Sequence, residues 1–117
     1  MSEDYSKTKE FAREYKKELI PMLKKMGFNA AVRTKNTYYS MDGTIVVVIN
    51  KVPSNFDVWE GGSGYADGKT YSSSYHQTDR ATKLLKTIEI RIDDLLLKAD
   101  LEPRLDLSYD MKMRSEN

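Results

Sequence analysis

Few residues of this chain can do acid–base or nucleophilic chemistry. Its single histidine, His76, stands three positions before Asp79, with Glu60 and Asp67 in the segment ahead of it. A histidine beside a carboxylate can serve as a general base with an orienting partner. Covalent catalysis needs a nucleophile as well. There is no cysteine, and the nearby Ser72, Ser73 and Ser74 form a low-complexity run. His76 is therefore read as an exposed or capping residue at a helix start. The absence of cysteine also excludes disulfides and thiolate-bound zinc. Asp93 and Asp94 are adjacent, so on a helix they point about 100° apart and do not make a carboxylate pair. Gly68-Lys69-Thr70 ends like a phosphate-binding loop, but the first glycine of that pattern falls on Ser63. No apolar strand leads in and no helix start follows, both of which the loop requires. No catalytic residue, metal site or cofactor is expected.

Two sets of residues fit binding better than catalysis. Trp59, Tyr65, Tyr71 and Tyr75 lie in a segment rich in glycine and serine, and Tyr38 and Tyr39 stand together ahead of Asp42-Gly43. Aromatic rings interspersed with small residues suit an adaptable protein-binding surface, because a rigid ring gives contact area at low entropic cost. The second set is basic. Residues 1–51 carry ten basic and six acidic side chains, although the whole chain has a net charge of only +1. Arg33, Lys35, Lys16, Lys17 and Lys24 from this half would be the contacts of a nucleic-acid binder. The competing reading of the lysines is the solvated face of an amphipathic helix. Residues 52–75 hold one basic and three acidic groups, a balance that repels phosphate.

These side chains must be positioned by a modest number of elements. The chain has 117 residues, 39% hydrophobic and 32% charged, which is the size and composition of a single globular domain spanning residues 1–117. Tyr5, Thr8, Phe11, Ala12, Tyr15, Leu19, Met22, Leu23 and Met26 recur at helical spacing, with Gly27 as a left-handed stop. Pro21 lies inside this pattern and predicts a kink or a break into two helices. Phe28, Ala30 and Val32 alternate as a strand, and Ile45 to Ile49 is a β-branched apolar run. Asp42-Gly43 between them predicts a two-residue hairpin turn, with Met41 facing Thr44, Tyr39 facing Val46 and Tyr38 facing Val47. Phe28, Ala30, Val32 and Tyr38 then share the core face with Ile45, Val47 and Ile49, unless a bulge near Asn36 intervenes. Residues 53–75 read as a long loop containing at most an edge strand over Tyr71, Ser73 and Tyr75. Ala81, Leu84, Leu85, Ile88, Ile92, Leu95, Leu96 and Ala99 predict a second helix, capped by Thr78 or Asp79 and ended before Pro103. Leu105, Leu107, Tyr109, Met111 and Met113 alternate with polar residues as a last strand. The expected class is α+β: two main helices on one face of a small three- to four-stranded antiparallel sheet, in the order helix, hairpin, edge strand or loop, helix, strand.

The stretch from Leu23 to Thr34, followed by Tyr39-Ser40 and by Gly43 to Val47, resembles the large-polyvalent-protein-associated domain of phage and mobile-element proteins. The resemblance covers about residues 15–50 and departs after Pro53. It carries over no catalytic residue, and it implies a small accessory protein of a phage or conjugative element. Such a protein would act in the cytoplasm on a host or defence-system protein, as an inhibitor or modulator. Nucleic acid is the alternative partner, a homodimer is compatible with the sequence, and no membrane partner is expected: no apolar stretch is long enough for a span, and residues 1–5 lack the features of a signal peptide.

Overall fold

The computed structural model describes residues 3–37, 40–60, 63–66, 69–72 and 76–110. The first helix, α1 (Glu3–Lys25), buries Tyr5, Thr8, Ala12, Tyr15, Leu19 and Leu23 along one stripe. Pro21 does not divide it: α1 continues through this position as a single helix. Proline there removes one N–H and crowds the carbonyl of Lys17, and both residues are exposed, so water can satisfy the freed carbonyl. Gly27, at φ +88°, ends the helix. Phe28 N donates to Leu23 O at 2.9 Å and Gly27 N to Lys24 O at 3.1 Å, the paired bonds of a Schellman motif. The motif brings Phe28 into the core beside Leu23.

Strands β1 (Asn29–Thr37) and β2 (Ser40–Lys51) pair antiparallel. Val32 lies opposite Val47, Arg33 opposite Val46 and Lys35 opposite Thr44, and Thr37 pairs with Ser40. This corrects the turn expected at Asp42-Gly43. Those residues sit within β2, where the register shifts between Lys35 and Thr37, and Tyr38 and Tyr39, which the expected turn paired with Val47 and Val46, lie outside the described residues. Gly43, at φ +77°, is the bulge residue. A Cβ there would lie 2.6 Å from the Lys35 carbonyl oxygen and 2.6 Å from the Tyr5 ring. The Asp42 carboxylate accepts the backbone N–H of Glu102 at 2.6 Å, so the bulge also holds the approach to the last strand.

The second long helix, α2 (Asp79–Ala99), starts at Thr78, whose hydroxyl oxygen accepts the N–H of Ala81 at 3.2 Å. The same hydroxyl donates to Asp57 O at 2.6 Å. The helix ends on Asp100 in the left-handed conformation, with Leu101 N donating to Leu96 O at 3.1 Å. The chain then forms β7 (Arg104–Tyr109), which pairs with β2 from Thr44 opposite Arg104 to Ile49 opposite Tyr109. The expected last strand is therefore present through Tyr109, with Met111 and Met113 outside the described residues, but the sheet is not antiparallel throughout. Its order is β1-β2-β7, with β7 parallel to β2. The helix accounts for the direction: α2 carries the chain back along the sheet, so β7 starts beside the start of β2, as in a β-α-β crossover.

Ile45, Val47 and Ile49 of β2 are fully buried, flanked by Leu105, Leu107 and Tyr109 of β7. With Leu19 and Leu23 of α1 and Ile88, Ile92 and Leu96 of α2 they form one core, so both helices lie on the same sheet face. The class is α+β, as expected. Phe56 and Val58 join this core from the segment after β2, and Phe56 meets Phe28 edge-on at 4.8 Å.

The described residues between 59 and 77 are strands, where a loop was expected. Two short ladders occupy them: β3 (Trp59–Glu60) with β6 (His76–Gln77), and β4 (Ser63–Ala66) with β5 (Lys69–Ser72). Both are antiparallel and stand in succession, so they form the base and outer part of one hairpin arm. Ala66 pairs with Lys69, which leaves Asp67-Gly68 as the intervening dipeptide; it lies outside the described residues. The edge strand considered over residues 71–75 meets β5 at Tyr71 and Ser72, while Ser73 and Tyr75 lie outside the described residues; β5 pairs with β4 and not with the main sheet.

Candidate binding surfaces

His76 stands beside Glu60, one of the carboxylates ahead of it in the chain. Its Nε2 lies 3.0 Å from Glu60 Oε1 across the base of the arm, and both side chains are more than half exposed. Asp94 forms ion pairs with Lys98 at 3.1 Å and Arg91 at 3.9 Å on its own helix. Among the described residues no cluster of three histidines or carboxylates is placed to hold a metal. No helix is long and apolar enough to cross a membrane among these residues.

The aromatic set is distributed along the arm. Trp59 is half-buried in β3 and packs against the core, so its ring is a root of the arm and only partly available to a partner. Tyr65 lies in β4 opposite Thr70, and Tyr71 lies in β5 opposite Gly64. These two positions therefore stand on adjacent rungs of the outer ladder. Tyr38, Tyr39 and Tyr75 lie outside the described residues.

The basic set separates. Lys16 and Arg33 line one shallow groove of about 250 Å³ between α1 and β1, together with Lys9, Arg13, Val32 and Thr34. Lys17 lies elsewhere on α1 and pairs with Glu14 at 3.2 Å. Lys24 lines a different depression, beside Lys51 and Gly27 at the end of α1. Lys35 stands on the sheet face away from the helices, in register with Thr44 and, through it, with Arg104. Arg13 was not among the residues expected to bind, and Lys9 was expected only as one of the lysines of the first helix. Their spacing to Lys16, four and then three residues, marks one ridge of a helix. Which flank of α1 meets β1 is a tertiary fact, and only that flank makes the ridge part of a groove.

A third concavity, about 490 Å³, lies between the helices and is lined by Tyr15, Glu18, Met22, Thr87, Ile88 and Arg91. Arg91 closes its rim with two bonds to Glu18, from Nη2 at 2.8 Å and from Nε at 3.2 Å. The hydrogen bond from Arg91 holds the Glu18 carboxyl below the usual carboxylate range. Burial, reinforced by the nearby Glu18 charge, pushes the Tyr15 phenol up to about 12. Both effects mark a structural brace between helices rather than an acid–base pair.

No family model, curated protein or solved structure matches the chain.

Proposed function

We propose that this chain is a non-catalytic protein-binding module that engages its partner through the hairpin arm of residues 59–77. The observation that carries this reading is the isolation of the arm. Among the described residues its strands pair only with each other, outside the three-stranded sheet. A two-stranded hairpin is marginally stable in water by itself. Glycine, serine and tyrosine give this one little apolar surface to bury in its own fold, whereas they suit an adaptable contact surface. The resemblance of residues 15–50 to the phage-associated domain extends the proposal to its setting: an accessory factor acting in the cytoplasm on a host or defence-system protein.

The test is capture of partners from a bacterial host lysate, with and without nuclease, by the wild-type chain and by a Tyr65→Ser/Tyr71→Ser variant. The expected result is a nuclease-resistant catch that the variant loses, because truncated aromatic anchors cost roughly 2 kcal/mol or more in binding. An unchanged catch with the variant would sink the arm as the binding element. A catch abolished by nuclease would favour nucleic acid as the partner.

A further inference from the structure

We infer that the outer edge of β1 is a second docking site, and that its occupant is an extended acidic segment of a polypeptide, added as a strand beside β1. This surface is distinct from the arm.

The first observation is topological. β1 is the terminal strand of the order β1-β2-β7, and among the described residues no strand pairs with its outer edge. Such an edge presents a row of backbone N–H and C=O groups that another extended chain can complete. The second observation is electrostatic. The groove running along this strand is lined by four cations, Lys9, Arg13, Lys16 and Arg33, and by no carboxylate. None of the four forms an ion pair among the described residues. Of the acids of α1 whose side chains are described, Glu14 holds Lys17, Glu18 holds Arg91, and Glu10 does not line the groove.

Together these features select the occupant. A second copy of this chain would set Arg33 and Lys35 of one β1 against those of the other, which is unfavourable. A nucleic-acid backbone would satisfy the cations but leave the strand edge unpaired. An acidic strand satisfies both: its backbone completes the ladder, and its carboxylates meet the cations of the groove. Alternate side chains of an added strand point to opposite faces, so carboxylates at every second position suffice for the ridge.

The experiment uses the full chain and three fluorescent probes read by anisotropy. One is a decapeptide alternating glutamate with threonine, the second is the same peptide N-methylated at every residue, and the third is a single-stranded oligothymidine. The first peptide is expected to bind, the methylated one roughly tenfold or more weakly because it keeps the charge but loses donors to the ladder. Lys16→Glu with Arg33→Glu should weaken the first peptide by a similar factor. Amide exchange in β1 should slow when that peptide is bound. Tyr65→Ser/Tyr71→Ser should leave its affinity unchanged, which separates this site from the arm. Equal binding of the two peptides, tighter binding of oligothymidine, or indifference to the charge reversals would each overturn the inference.

Discussion

The main sheet and the arm are both built from backbone ladders, yet they differ in what stands behind the ladder. In the main sheet, Val47 has Val32 on one side and Leu107 on the other, two helices above it, and no exposed surface. In the arm each strand has one neighbour, and its base packs against the core at Trp59. Even there the fit is incomplete. Trp59 Nε1 and Gln77 Oε1, on opposed residues, are shielded from solvent, and neither is hydrogen-bonded among the described residues. A buried unpaired polar group costs roughly 1–3 kcal/mol. Backbone pairing is common to both regions, so burial is what distinguishes the part that holds the fold from the part that extends from it.

The largest break in this comparison comes from removing one side of the main sheet. Deleting residues 104–117 strips β2 of its parallel neighbour and uncovers Ile45, Val47 and Ile49. The loss should be comparable with the entire stability of a small domain, roughly 5–15 kcal/mol. The expected outcome is aggregation or no cooperative melting by circular dichroism, and a wild-type transition would show that β7 is dispensable. Next is Gly43→Val. A side chain there meets the Lys35 carbonyl and the Tyr5 ring, and its backbone must hold a positive φ. About 2 kcal/mol or more should be lost in urea unfolding. An unchanged midpoint would remove the bulge.

Tyr109→Phe is gentler. The Tyr109 hydroxyl, buried, donates to Ala81 O at 2.7 Å and ties β7 to the first turn of α2. Its loss should cost about 1 kcal/mol at neutral pH. Burial raises the pKa of this phenol above its ordinary value. The unfolded chain therefore releases the proton first, and the stability it supports is complete below about pH 10 and declines as the pH rises beyond that. Tyr15 acts in the same direction. The phenylalanine variant should lose stability less steeply between neutral and alkaline pH than the wild type, and parallel profiles would contradict a buried, protonated Tyr109. The smallest effect belongs to the arm. Replacing residues 61–75 with Asn-Gly, joining the paired Glu60 and His76 by a tight turn, should change stability by no more than roughly 0.5 kcal/mol. A loss like that of the β7 deletion would mean that the arm is part of the core after all.

The helices and the last strand were legible because their signals are local. Leu19, Leu23, Ile88 and Ile92 repeat at helical spacing, Gly27 and Thr78 mark a stop and a start, and Leu105, Leu107 and Tyr109 alternate. The arm was not legible because its strands lack an apolar face: residues 63–72 pair through their backbone while their sequence reads as glycine, serine and tyrosine. Of the binding residues, Lys16 and Arg33 could be named from the basic half of the chain. Lys9 and Arg13 join them only once α1 lies along β1.

The hairpin separates what the sequence determined from what the tertiary structure decided. A turn at Asp42-Gly43 places Val46 opposite Tyr39, whereas the structure places it opposite Arg33, six residues away along β1. Six is even and side chains alternate with period two, so along the regular rungs from Ala30 to Lys35 the slide leaves the residues on their expected faces. Ala30 and Val32 still meet the core with Ile45, Val47 and Ile49, and Arg33 and Lys35 still lie opposite. Alternation in the sequence was therefore enough to assign the faces. It could not assign the rung, because the Asp-Gly signal suits a bulge as well as a turn. The choice is stabilised by groups distant in the chain: the Asp42 carboxylate on the amide of Glu102, and the Tyr5 ring closing over Gly43. The parallel direction of β7 has the same origin, since it depends on where α2 delivers the chain and not on any property of residues 104–109 alone.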